Sequence, residues 1–307
     1  MGAVFEGFAT IGAVIAVGAL LAQLRILDAA AGVALSRLAF FVASPALILV
    51  LMSETDVSHV LSRQLVAIAV GVVVPVVIYV TCARLVWHRG LGDTVIGAFA
   101  SAYVNAGNLG LPVAAYVLGD VTYVVPTLLL QLCVLTPIGV ALLDHDARDG
   151  PVSWRRAITQ PLLNPLTVSM LLGLVLSVTH TRLPGFVHAP LELIGAMAVP
   201  SMLIAYGVAL RLGGGFGVGG RRAEIALASS LQLVVQPLVA TSVAAGLLGL
   251  EGRALLAVAI TSALPTAQNV FTHANRYGRA RVLARDTILV TTILCLPVML
   301  LIAAVLG

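Results

Sequence analysis

Asn105-Ala-Gly-Asn-Leu-Gly-Leu-Pro112 and Pro265-Thr-Ala-Gln-Asn269 are two short polar breaks in otherwise apolar stretches, and their prolines lie 153 positions apart. Pro112 has no N–H to donate and disfavours helix at Leu111. Gly107 and Gly110 loosen the turn before it. Asn105 and Asn108 can satisfy freed backbone groups or a ligand. Pro265 is placed in the same way, with Thr266, Gln268 and Asn269 just after it. In lipid, backbone groups left unpaired need a partner inside the protein. Interrupted helices at equivalent places in two halves point to a carrier's binding site.

The chain around these breaks is a membrane chain. Of its 307 residues 60% are hydrophobic and 10% are charged, where a soluble domain has about 25% charged. Mean hydropathy is +1.08. Spans of roughly 20 apolar residues are expected at 4–24, 32–53, 63–87, 94–118, 121–143, 157–179, 190–210, 223–249, 254–275 and 282–305. All 17 basic residues are Arg. Fourteen fall in one set of alternate links and three (Arg63, Arg182 and Arg253) in the other. Cytoplasmic loops carry the excess of basic residues, so both termini are expected outside. The first charge is Glu6 and the first Arg follows the apolar run at Arg25, which does not fit a cleavable signal peptide.

The two halves rhyme. Ser44-Pro45 in the second span answers Pro200-Ser201 in the seventh, with prolines 155 apart, and Pro75 answers Pro237 more loosely at 162. The fold class expected is all-α: ten transmembrane helices as two inverted five-helix repeats, with broken crossover helices four and nine. The first repeat is residues 1–143, a cytoplasmic link 144–156, and the second repeat 157–307. Five spans per repeat force the second to enter from the opposite side, a plan suited to alternating access.

With the helices crossing at their prolines, Asn105, Asn108, Gln268 and Asn269 converge near mid-membrane on the cytosolic side. Each break exposes the N-terminus of a half-helix, whose partial positive charge and free N–H groups favour an anion such as a carboxylate. Gln232 and Gln236, one turn apart, either line the cavity or bond to neighbouring helices. Asn164 opens the sixth span as a helix start or a ligand. Gln131 is a further mid-membrane polar residue. Asp28, Asp93, Asp120, Glu224 and Asp286 all fall near span ends, which weakens coupling by carboxylate protonation. Uniport down an anion gradient stays open, as does H+ or Na+ coupling through carbonyls and amides.

Other chemistries lack their residues. A phosphate-binding Walker loop needs Lys, and the chain has none. The zinc-protease and nucleophile-elbow motifs are missing, and Gly215-Phe-Gly-Val-Gly-Gly220 has no βαβ unit around it. Cys82, Cys133 and Cys295 sit in apolar runs without metal-ligand spacing. No enzyme activity, metal or cofactor is expected. The scattered arginines, net charge +4, argue for a lipid bilayer rather than nucleic acid.

At its two breaks the chain resembles the auxin efflux carrier family in its short bacterial form. Asn105, Gly107, Gly110 and Pro112 fit N-x-G-x-x-G-x-P; Pro265, Ala267 and Asn269 fit P-x-A-x-N; Ala274, Tyr277 and Gly278 fit the following A-x-x-Y-G. The resemblance covers essentially the whole chain. It implies a fold related to bile-acid symporters, in which helices four and nine cross inside a moving transport domain. The first two helices of each repeat form a scaffold that often dimerises. It implies efflux of a small organic anion from the bacterial inner membrane, with residues matching Asn105 and Asn164 holding the carboxylate. Asn108 departs from the family pattern, which bears on the pocket's shape. A sodium-coupled symporter of the bile-acid type is the alternative within transport, and a membrane receptor or channel the alternative outside it.

Overall fold

The computed structural model describes residues 2–54, 63–147, 165–212 and 221–307, apart from the side chains of residues 2–5, 7 and 8. Asn164, most of the expected 144–156 link and the glycine run at 213–220 lie outside the described residues. The described residues are helical, joined by one isolated β-bridge. In chain order the helices are α1 (Gly2–Gln23), α2 (Ala29–Glu54), α3 (Arg63–Val86), α4 (Leu91–Ala102), α5 (Ala106–Leu118), α6 (Val121–Ala147), α7 (Pro165–Val178), α8 (Gly185–Leu212), α9 (Arg222–Gly246), α10 (Gly252–Ser262), α11 (Gln268–Tyr277) and α12 (Arg281–Leu306). Six of them, α2, α3, α6, α8, α9 and α12, are long and apolar enough to cross a membrane. The fourth expected span is divided into α4 and α5, and the ninth into α10 and α11.

Proline shapes several of these helices without ending them. Wide π turns at Ala39–Ala43, Ala106–Gly110, Gln131–Leu135 and Leu231–Val235 each stop two residues before a proline: Pro45, Pro112, Pro137 and Pro237. The ring of a proline clashes with the carbonyl one turn back, and widening that turn relieves the clash.

The chain forms two compact units, each built from both halves of the sequence. The first holds residues 1–61, 107–125 and 162–215; the second holds 62–106, 126–161 and 216–307. In the first unit α1 packs along α8, and α2 along α7. Glycine sets how closely these pairs approach. A Cβ on Gly18 would collide with the Ile204 carbonyl, and one on Gly207 with the Ile15 carbonyl. A Cβ at Gly173 would sit 2.9 Å from the Leu49 carbonyl. Such glycine contacts let helix backbones meet where lipid supplies no hydrophobic drive. Ser44 and Pro45 are buried here.

In the second unit α3 packs on α4 and α9, α9 on α10, α4 on α6, and α10 on α12. Its core joins Tyr79, Phe99, Tyr103, Leu143 and Leu283. One end is tied by ion pairs between links: Arg89 to Glu224 at 2.5 Å, Arg221 to Asp93 at 2.5 Å and Arg279 to Asp146 at 2.7 Å. The Glu224 carboxylate, accepting a hydrogen bond from Arg89, pushes that guanidinium's pKa further up. The Asp93 carboxylate also accepts from the Ala280 N–H at 3.0 Å, which anchors the start of α12.

Left-handed caps recur between the halves. Arg25 and His180, each just past a helix, have φ of 59° and 51°. His88 pairs in the same way with Gly249, and Gly119 with Gly278. The bonds recur with them: the Ile26 N–H donates to Leu21 O at 2.9 Å, and the Thr181 N–H donates to Leu176 O at 2.9 Å.

Candidate functional site

The second unit contains the crossing of the two interrupted segments. After α4 the chain turns extended at Tyr103, φ −97° and ψ 95°. After α10 the chain leaves the helix at Ala263 and resumes it at Gln268. Val104 and Thr266 form an antiparallel bridge. The Asn105 N–H donates to Pro265 O at 2.7 Å, and the Ala267 N–H donates to Tyr103 O at 2.9 Å. These two bonds consume backbone groups that lipid could not satisfy, each of which would cost several kcal/mol if left unpaired.

Neighbouring helices finish the pairing. From α6, the Gln131 amide Nε2 donates to Val104 O at 2.9 Å. From α12, Thr291 Oγ1 accepts from the Thr266 N–H at 3.1 Å and donates to Thr287 O at 2.8 Å. Thr266 Oγ1 donates to Ala100 O at 2.7 Å, in the last turn of α4. From α9, Gln232 Nε2 donates to Leu264 O at 3.1 Å and to Gln236 Oε1 at 3.0 Å. Thr266, Thr291 and Gln232 are each 0% exposed. Pro265 suits its place, since it has no N–H to leave unpaired.

The crossing differs from the expectation in one respect. The first interruption lies at residues 103–105 rather than at Pro112, where the chain is helical: Gly110 and Ala114 both have right-handed helical backbone angles. Pro112 is absorbed by the π turn before it. The reason is tertiary: the pairing with residues 265–267 offers Tyr103–Asn105 an alternative to helix that no local breaker in that triplet announces.

The expected site residues fall as follows. Asn105, 3% exposed, immediately precedes α5 at the crossing, and Pro265 and Thr266 form the other strand of it. Gln268 and Asn269, half-buried, open α11. Gln232 donates both to Gln236 and to the crossing's backbone at Leu264 O; Gln232 Oε1 and Gln236 Nε2 have no hydrogen-bond partner. Asn108, Gly110 and Pro112 lie along α5 and, like Ser44 and Pro45, belong to the first unit. The reading of isolated residues missed Thr291. Its signal was available, since Thr287 and Thr291 stand one turn apart on a largely apolar helix. Gln131 was noticed but not placed at the site.

What this arrangement can do is electrostatic. Two half-helices, α5 and α11, begin within a residue or two of the bridge, and helix N-termini carry partial positive charge with unpaired N–H groups. Among the described residues no group of three or more His, Cys, Asp or Glu could hold a metal ion.

Comparison with known proteins agrees with a transport role. A protein of Rhizobium meliloti (strain 1021) named "Putative malonate transporter" is 27% identical over 263 residues, 83% of this chain and 80% of that protein. The family model described as membrane transport protein matches residues 3–303. The chain therefore belongs to the membrane transport protein family, the auxin efflux carriers that its two polar breaks resemble.

Proposed function

We propose that this protein is a secondary carrier of small organic anions that works by alternating access, with the Val104–Thr266 crossing as its carboxylate site. The observation that carries the reading is the bridge itself, two residues after which, on each of its strands, a helix begins. A site of N–H groups and amides suits a carboxylate and needs no buried Arg. The malonate named for the relative fits the same chemistry.

The ten-span inverted repeat with both termini outside belongs to this proposal. Paired left-handed caps at Arg25 and His180, His88 and Gly249, and Gly119 and Gly278 support it. So does the packing, because a two-fold exchange of the halves turns the α1–α8 pair into the α7–α2 pair. The bridge then lies on the axis, with Gln131 and Thr291 serving its two strands from the fifth and tenth spans. In this reading α1, α2, α7 and α8, the first two helices of each repeat, are the scaffold, and the second unit carries the Val104–Thr266 bridge. The buried carboxylates Glu224 and Asp286 both sit in ion pairs. That supports transport driven by the anion gradient and the membrane potential.

The test is counterflow in liposomes. Protein loaded with unlabelled malonate or another dicarboxylate should accumulate labelled substrate transiently, as a carrier does and an open pore does not. Asn105→Ala should lower uptake at least tenfold while stability changes by no more than about 1 kcal/mol. Wild-type uptake in that variant would remove Asn105 from the site, and a dependence on sodium would favour the symporter reading.

A further inference from the structure

Two amides beside the crossing hold polar atoms in reserve. Leu264 O lies outside both α10 and α11. A carbonyl only accepts, so the Gln232 atom facing it at 3.1 Å is the amide nitrogen. That nitrogen's second hydrogen goes to Gln236 at 3.0 Å, which makes the atom it meets Gln236 Oε1. The broken helix thus orients both amides in turn. One acceptor, Gln232 Oε1, and one N–H2, Gln236 Nε2, are left without a hydrogen-bond partner. The two residues are 0% and 1% exposed. Leu264 stands two residues before the bridge, so the pair belongs to the crossing.

Burying amide atoms without partners is unfavourable, which marks the place of a further group. An amide's oxygen and nitrogen are about 2.2 Å apart, so the two free atoms lie within about 7.5 Å of each other. One carboxylic acid with a hydrogen bond at each oxygen can span that gap. Its C=O accepts from Gln236 and its O–H donates to Gln232. An ionised carboxylate satisfies half of the pair, because it has no proton for Gln232 Oε1. Charge points the same way. Among the described residues the buried charged side chains are Glu224 and Asp286, both acids. A second negative charge on a substrate would meet no buried cation, and an unpaired buried charge is far costlier than a bonded carboxylic acid.

We infer that Gln232 and Gln236 receive a protonated carboxyl group. The carried species is then the singly charged form of a short dicarboxylic acid, with its carboxylate at the crossing and its carboxyl on the glutamines. The inference rests on the carrier reading, whose substrate it specifies. The proton rides on the substrate, so no side chain has to titrate. On the helices packed against α9, the groups that can change charge are Tyr79 and Cys82 of α3, Asp93 of α4, and Asp286 and Cys295 of α12, with Glu224 on α9 itself. Asp93, Glu224 and Asp286 pair with Arg221, Arg89 and Arg285. Tyr103, at the crossing, bonds Thr136. None of them bonds either glutamine. The arginines of these helices, Arg63, Arg84, Arg222, Arg253, Arg281 and Arg285, stand within about a turn of a helix end.

The test separates a proton on the substrate from a proton on the protein. Malonamate, with a primary amide in place of one carboxyl group, is a monoanion from about pH 5 to 8. Its amide offers the same C=O acceptor and an N–H donor at every pH. In liposomes at clamped potential, the KM for labelled malonate should be constant when counted as hydrogen malonate. Counted as total malonate, it should rise about tenfold per pH unit above the second ionisation. Malonamate should compete with a Ki indifferent to pH over that range. The reversal potential should report one charge per malonate. A KM constant in total malonate, two charges per malonate, or malonamate that does not compete would each overturn the inference.

Variants then assign the residues. Gln236→Met removes the donors and should raise both the KM for hydrogen malonate and the Ki for malonamate about tenfold. Gln236→Glu keeps the oxygen to which Gln232 donates and serves in the same way if the methionine variant folds poorly. Unchanged constants in both variants would leave water as the partner of the glutamines and overturn the inference. Malonate uptake that follows the dianion sinks the inference and leaves the carrier reading standing, whereas wild-type protein that moves no organic anion sinks both.

Discussion

Replacing Thr291 by Val asks whether the crossing is held as its geometry says. The two side chains are nearly equal in volume, so packing around this fully buried position is conserved. What is lost is one hydroxyl that accepts from the Thr266 N–H at 3.1 Å and donates to Thr287 O at 2.8 Å. The carbonyl of Thr287 retains its helical bond, so its loss is small. The Thr266 N–H is different, because the bridge geometry turns it away from Val104 and it has no helix to return to. A buried donor stripped of its partner costs about 1–3 kcal/mol, and serine at the same position keeps the hydroxyl. Thr291→Val should therefore lose about 2 kcal/mol, a drop of several degrees in unfolding midpoint. Thr291→Ser should lose less, despite the missing methyl group. The assay is scanning fluorimetry of purified protein in one detergent, alongside labelled-anion uptake. A valine variant as stable as wild type, with the serine variant weaker than both, would show that the hydroxyl does not hold the strand.

Gln131→Leu, which removes the amide donor to Val104 O, should destabilise by about 1 kcal/mol and add to Thr291→Val when the two are combined; thermal midpoints of the double variant check this. Gly18→Ala and Gly207→Ala should each lose about 1–3 kcal/mol through overpacking, whereas Gly12→Ala, with nothing within 4 Å of its new Cβ, should be neutral or gain up to about 1 kcal/mol of helix propensity. Glu224→Leu should cost about 3 kcal/mol by leaving Arg89 without its partner, read as lost thermal stability; because Arg89 is 33% exposed, Glu224→Gln should cost less. Pro112→Ala should leave the interruption at 103–105 intact and uptake within about twofold, because helix runs through that position.

Much of the membrane architecture was legible in the sequence because lipid imposes long apolar runs, and breaks in those runs are conspicuous. Pro265 marked the second interruption correctly, since a proline in an extended segment reports its own conformation. Pro112 misled by the same logic. A π turn lets a helix keep a proline, and neither that turn nor the pairing that opens Tyr103–Asn105 leaves a local trace. The repeat proposed for the two halves draws on backbone geometry as well. Arg25 and His180, or His88 and Gly249, share backbone conformation without sharing a residue type, so residue identity hides what the caps display. Thr291 escaped notice because a hydroxyl in an apolar helix usually bonds its own preceding turn, as this one also does. Its second role depends on the neighbouring strand. The compact units, each drawing chain from both halves, are likewise a property of packing rather than of order along the chain.

The crossing is proposed to hold the carboxylate of the transported anion. The most direct measurement is a structure determined with a bromine-substituted malonate, located by its anomalous signal. A peak is expected beside the bridge, with carboxylate oxygens within hydrogen-bonding distance of Asn105 and of the first turn of α11. A saturating ligand bound elsewhere, with the crossing occupied by side chains alone, would contradict it.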